Sequence, residues 1–102
     1  MKSDILTWLQ EWFISQCDGD WEHENMIFIE TTSNPGWHVT IDLNGTILEN
    51  LEFDLPTVEN NENDWYFTKI RNRKYTASGD PSKLDLLLLK FKELVEQQNK
   101  KS

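Results

Sequence analysis

The chain reads as an α+β domain, a mainly antiparallel sheet of four to five strands with an N-terminal and a C-terminal helix. Apolar residues recur at three- and four-residue spacing near both ends, as they do along helices with one buried stripe. Between those ends apolar and polar residues alternate, as they do along half-buried strands. Tight-turn signals separate the alternating runs, which makes neighbouring strands antiparallel. The 102 residues suit a single domain, 1–102.

The first helix is expected over about residues 3–16, with Ile5, Leu6, Trp8, Leu9, Trp12 and Phe13 as its stripe. Ser3 suits the N-cap, Asp4 favours the helix dipole, and Asp18-Gly19 is a stop signal. Residues 17–25 read as a polar connector with one aromatic. Residues 26–32 read as a strand, and because Met26, Ile27, Phe28 and Ile29 are apolar on both phases, cover on both faces is expected. Ser33-Asn34-Pro35-Gly36 is a turn in which Pro35 presets φ and Gly36 accepts positive φ. Trp37, Val39, Ile41 and Leu43 alternate with polar residues and mark the clearest strand. Asn44-Gly45 predicts a type I′ hairpin, with a return strand from Thr46, Ile41 opposite Leu48, and a bulge near Glu49-Asn50. Pro56 ends or edges the strand through Leu51, Phe53 and Leu55, and Glu59–Asp64 is read as a loop. Trp65–Arg71 is the next strand, with Lys74–Ala77 as its short hairpin partner. A second helix is expected to about residue 98, with Asp80 as N-cap and Pro81 at its first position. Leu84, Leu87, Leu88, Phe91, Leu94 and Val95 form its stripe, and Lys100 and Lys101 complement its C-terminal dipole.

Charge is divided along the chain. The net charge is −8, yet between Lys2 and Lys69 there is no Lys or Arg, while fourteen acids run from Asp4 to Asp64. From Lys69 onward nine basic residues face four acids. Acidic surface repels phosphate backbones and attracts basic proteins, which disfavours nucleic acid and favours a basic protein partner. Cys17 is the lone cysteine, so no intrachain disulfide is expected. The N-terminus lacks the apolar stretch of a signal peptide, and no run approaches the roughly 20 apolar residues needed to span a bilayer. A soluble cytoplasmic protein is therefore expected.

The densest polar cluster is Asp18, Asp20, Trp21, Glu22, His23 and Glu24. As metal ligands these residues match no spacing with known mechanics, and the glycine and closing Glu of a calcium loop are out of place. Cys17 with His23 or His38 would make a thiol nucleophile and base, but neighbouring Asp18 and Asp20 raise a thiol pKa, and a helix C-terminus opposes a thiolate. A small buried role for Cys17 is expected instead. As a recognition loop, the acids supply attraction and Trp21 an aromatic, though Trp21 by itself reads as core. A second acidic segment, Glu59–Asp64, offers Glu62 and Asp64, and Trp37 and Trp65 are further candidate anchors. No glycine-rich phosphate loop and no cofactor motif is found. The rival readings are a small metal- or thiol-dependent enzyme built on Cys17–Glu24, and a general protein-binding adaptor.

Several blocks carry a resemblance. Trp8-Leu9-Gln10-Glu11-Trp12-Phe13, Gln16-Cys17-Asp18-Gly19-Asp20-Trp21-Glu22-His23, Asn34-Pro35-Gly36-Trp37 and Ile41-Asp42-Leu43 resemble the immunity protein 53 family, as do Asp64-Trp65 and the Gly79-x-Pro81-x-x-Leu84 helix start. The chain departs from that pattern at Asn25-Met26 and at Ser33. The resemblance implies a cytoplasmic bacterial antidote to a polymorphic toxin encoded beside it, with no enzymatic activity and no cofactor.

Overall fold

The computed structural model describes residues 4–101. Helix α1 runs Asp4–Gln16 and buries Ile5, Leu9 and Trp12, with Trp8 and Phe13 half-buried beside them. The expected N-cap, Ser3, lies outside the described residues. Leu6 belongs to the predicted stripe by spacing, yet it is about half exposed. The polar connector is more ordered than expected, because Trp21–Glu24 forms one helical turn, α2.

Five strands follow: β1 (Ile27–Thr32), β2 (Gly36–Asp42), β3 (Phe53–Asn61), β4 (Asp64–Arg71) and β5 (Lys74–Gly79). They form one sheet in the order β1-β2-β5-β4-β3, antiparallel throughout. Helix α3, Leu84–Lys101, lies across the centre of the sheet and buries Leu87, Leu88, Phe91 and Val95 against Val39, Ile41, Ile70, Tyr75 and Ala77. The stripe predicted for it holds, with Leu84 and Leu94 at its margins. The helix starts three residues after its expected first position. Lys83 rather than Asp80 accepts the first helical bond, from the Leu87 N–H (2.9 Å).

Aromatic rings join the layers. Phe91 meets Trp12 edge to face at 4.9 Å, Trp8 at 6.0 Å and Tyr75 at 5.0 Å. The buried Tyr75 hydroxyl donates to the Leu87 carbonyl at 2.7 Å, so its polar end is satisfied inside the core. Burial and the nearby Glu93 push that phenol well above its ordinary pKa.

Asn44-Gly45 makes a turn but not a hairpin. Residues 43–52 cross the end of the sheet from β2 to the far edge strand, passing the β4–β5 turn, where the Leu43 N–H donates to the Arg73 carbonyl. Leu43 and Leu48 are fully buried in that crossing, so both apolar residues plug the core end instead of facing each other on paired strands. The true type I′-like turn lies at Asn72-Arg73, both with positive φ (55° and 61°) and with no glycine to announce it. β3 continues through Pro56 to Asn61, with register shifts after Leu55 and Glu59, so the expected loop from Glu59 shrinks to a tight turn. β5 extends to Gly79.

Two further expectations change. The Asn34–Pro35 peptide is cis, and Gly36 has no positive φ. Strand β1 is an exposed edge rather than a covered strand: Phe28 is 51% exposed and Ile29 39%. Phe28 points to the face of the sheet that carries no helix, and on the other face α1 packs chiefly on α3, so Ile29 is only partly covered.

Candidate functional site

The Asp18–Glu24 loop is built by its own carboxylates. Asp18 Oδ1 accepts the N–H groups of Asp20 (2.9 Å) and Trp21 (2.8 Å), while Glu22 accepts those of Asp18 (3.0 Å) and Gly19 (2.9 Å). This reciprocal bonding satisfies the donors at the start of α2, much as a capping box does. The N–H donors of Trp21 and Asp20 hold the Asp18 carboxyl below its usual range, and backbone donors do the same for Glu22.

Trp21 anchors this loop from below. It is buried, meets Trp12 at 6.0 Å and Phe13 at 5.9 Å, and donates its Nε1–H to the Asn44 carbonyl at 2.6 Å. Asn25, also buried, donates to the Trp21 carbonyl and accepts from Asn44. The Asn44-Gly45 turn thus serves as the seat of Trp21. Asp20, His23 and Glu24 remain exposed, and no hydrogen bond or ion pair from the described residues engages the Asp20 or Glu24 carboxylate.

The remaining candidates lie at the other end of the sheet. Trp37, the second residue of β2, is half-buried and donates its Nε1–H to the Pro81 carbonyl at 3.0 Å. Asp64 and Trp65 open β4, with Glu62 exposed in the turn before them. Lys83 bridges Asp64 (2.7 Å) and the buried Asp80 (2.6 Å), and Asp80 also accepts the Trp65 N–H at 2.9 Å. The Lys83 and Asn60 donors lower the Asp64 pKa. Burial works to raise that of Asp80, but donors from Lys83, Ser82 and Trp65 outweigh it and lower it. Both carboxylates raise the pKa of Lys83. Asp42, beside the acidic loop, and Trp37 lie near opposite ends of the strand β2, which at about 3.3 Å per residue puts them roughly 17 Å apart. The two acidic segments are therefore separate places, not halves of one patch.

The enzyme readings find little geometry. Cys17 is exposed rather than buried as expected, and its thiol donates to the Phe13 carbonyl. Packing around the sulfur and the carboxylates of Glu22 and Asp18 all raise its pKa, which disfavours the nucleophilic thiolate. His38 stands at the far end of β2 from Cys17, with Nδ1 against Ser78 Oγ at 2.5 Å. Among the described residues, no group of three or more His, Cys, Asp or Glu converges in a way that could hold a metal ion.

A groove of about 450 Å³ opens between α1, α2 and β1, lined by Leu9, Gln10, Phe13, Asn25, Met26 and Ile27, with Glu22 at its rim. Met26 is 48% exposed there. The run of apolar residues on both phases of β1 was the signal for it, since such a run fits an uncovered edge as well as a buried strand. Among the described residues, no helix is long and apolar enough to cross a membrane.

Neither a curated protein nor a solved structure matches the chain. The family model of immunity protein 53 matches residues 6–96, a span that includes the acidic loop, all five strands and most of α3. The chain belongs to the immunity protein 53 family and is an immunity protein directed against a toxin.

Proposed function

We propose that this protein is a cytoplasmic antidote that neutralises a bacterial polymorphic toxin by binding over its basic working surface, without catalysing any reaction. One observation carries the reading: from Asp4 to Thr68 the chain holds no Lys or Arg, so α1, α2, β1 and β2 make one side of the molecule with acids and no Lys or Arg, while β3 forms the opposite edge. Such a surface draws in a positive partner and turns away phosphate backbones. A nuclease fits as the toxin, because the surface that holds its substrate is itself positive. Effective neutralisation calls for a Kd near or below nanomolar, about −12 kcal/mol.

Within the acidic loop the division of labour differs by residue. Asp18 and Glu22 maintain the backbone, Trp21 roots it, and Asp20, His23 and Glu24 face outward toward the partner. Glu62, Asp64, Trp65 and Trp37 form a separate contact region reached only by a partner broad enough to span the sheet.

The test is co-expression with the product of the adjacent toxin gene, scored for growth rescue and co-purification, followed by binding kinetics. Asp20→Lys with Glu24→Lys leaves the loop's internal bonds in place. It is expected to slow association about tenfold or more while dissociation changes little. An unchanged association rate would remove this loop from the interface. A purified sample that turned over a small molecule would overturn the non-enzymatic reading.

A further inference from the structure

The two edges of the sheet are built in opposite ways. Exposed edges offer unpaired N–H and C=O groups to any passing strand, and proteins usually blunt them with proline, charge or bulges. The β3 edge is blunted by all three: Pro56, the charged Asp54 and Glu59, and two register shifts. The β1 edge, Ile27-Phe28-Ile29-Glu30-Thr31-Thr32, has no proline, no lysine and an unbroken register with β2. Its alternation is set by the Asp42 N–H, which donates to the Met26 carbonyl. That bond makes Met26–Asp42 a hydrogen-bonded pair, so Phe28, Glu30 and Thr32 face β2. The N–H and C=O groups of Ile27, Ile29 and Thr31 then point to the free edge.

We propose that β1 is a docking edge for an extended, basic segment of the partner toxin, which adds a sixth strand to the sheet. The proposal rests on the neutralisation reading above and names the surface through which it works. A strand added beside β1 would send alternate side chains to opposite faces. One set lies on the helix side, beside Ile29 and in the groove lined by Ile27 and Met26, and this set is apolar. The other set lies beside Phe28 and the exposed Glu30 on the helix-free face, and this set is basic.

Charge selects the occupant. The elements around the edge, α1, α2, β1 and β2, contain no Lys or Arg, while Glu22 stands at the rim of the groove and Glu30 lies on the edge strand itself. A second copy of this chain would bring the same acids against themselves, whereas a basic strand neutralises them.

The experiment uses the full chain in complex with the co-expressed product of the adjacent toxin gene. Amide exchange measured by NMR is expected to slow at Ile27, Ile29 and Thr31 on binding. Thr31→Pro removes one outward N–H that the sheet itself does not use, and is expected to weaken the complex about tenfold while the far-UV circular dichroism and thermal midpoint hold. Ile29→Lys, which puts a cation on the helix-side face of the edge against apolar side chains of a basic strand, is expected to weaken it further. A complex that forms with those three amides exchanging as in the free chain, and with Thr31→Pro binding normally, overturns the edge proposal but leaves neutralisation standing. A dimer of the chain alone with the same amides protected also overturns it, by giving the edge to a second copy. No complex and no growth rescue would bring down the neutralisation reading and the edge together.

Discussion

Gly36 begins β2 beside the end of β5, and a Cβ at that position would stand 2.5 Å from the Gly79 carbonyl oxygen. The nearest obstacle is backbone, which cannot swing aside as the end of a side chain would. Gly36→Ala is therefore expected to destabilise the domain by about 1–3 kcal/mol, read as a lower urea midpoint at unchanged m-value. Residue type at position 36 was legible from the turn, but the reason for it was not. The turn suggested positive φ, whereas the demand for glycine comes from a strand more than forty residues away. Trp21 shows the same limit from the other side. Its burial was foreseen, but its partner, the Asn44 carbonyl, lies in a turn that local signals assign to a hairpin. Cys17 was expected to be buried because its surroundings disfavour a thiolate, but its position just past the end of α1 faces water.

At the scale of elements, period and turn chemistry located both long helices and four of the strands, with α3 starting later than read and the third strand expected from Thr46 to Pro56 where β3 runs Phe53–Asn61. The short α2 escaped because a single turn has no measurable period, and its stability comes from Asp18 and Glu22 rather than from propensity. The crossing from β2 to β3 escaped because Asn-Gly favours a hairpin locally, while the burial of Leu43 and Leu48 is decided by the whole core. The construction of α2 gives it a defined response to acid. Asp18 and Glu22 have folded-state pKa values below their unfolded ones, so the unfolded chain takes up protons first as pH falls. Their contribution is complete above about pH 5 and is lost as pH drops through the folded values. The protection of the Asp18–Trp21 amides, corrected for the intrinsic pH dependence of exchange, is expected to fall in acid before that of the sheet amides. Asp18→Asn, which removes that titration, should flatten the local pH dependence. An acid response uniform across the chain would contradict this picture.

At the scale of the whole molecule, the charge division was visible as a run of residues, and folding turns it into geography. The chain measures 41 × 29 × 26 Å, while the Debye length at physiological salt is about 8 Å. An approaching protein therefore senses the nearest patch rather than the net charge of −8. The basic residues of the β4–β5 hairpin are partly neutralised where they sit, Arg71 by Asp54 at 3.1 Å and Lys74 by Asp42 at 3.4 Å. The β1 side has no such cations among its own elements, so its field survives at the distance where encounters begin. Association with a basic toxin should then depend steeply on ionic strength, with the rate constant falling about ten- to a hundredfold between 0.05 and 0.5 M salt. Dissociation is governed by contacts already desolvated and should change by no more than about twofold. Stopped-flow association and competition-chase dissociation across that salt range would separate the two. Equal changes in both rates, or none in either, would mean that the acidic side is not where the partner arrives.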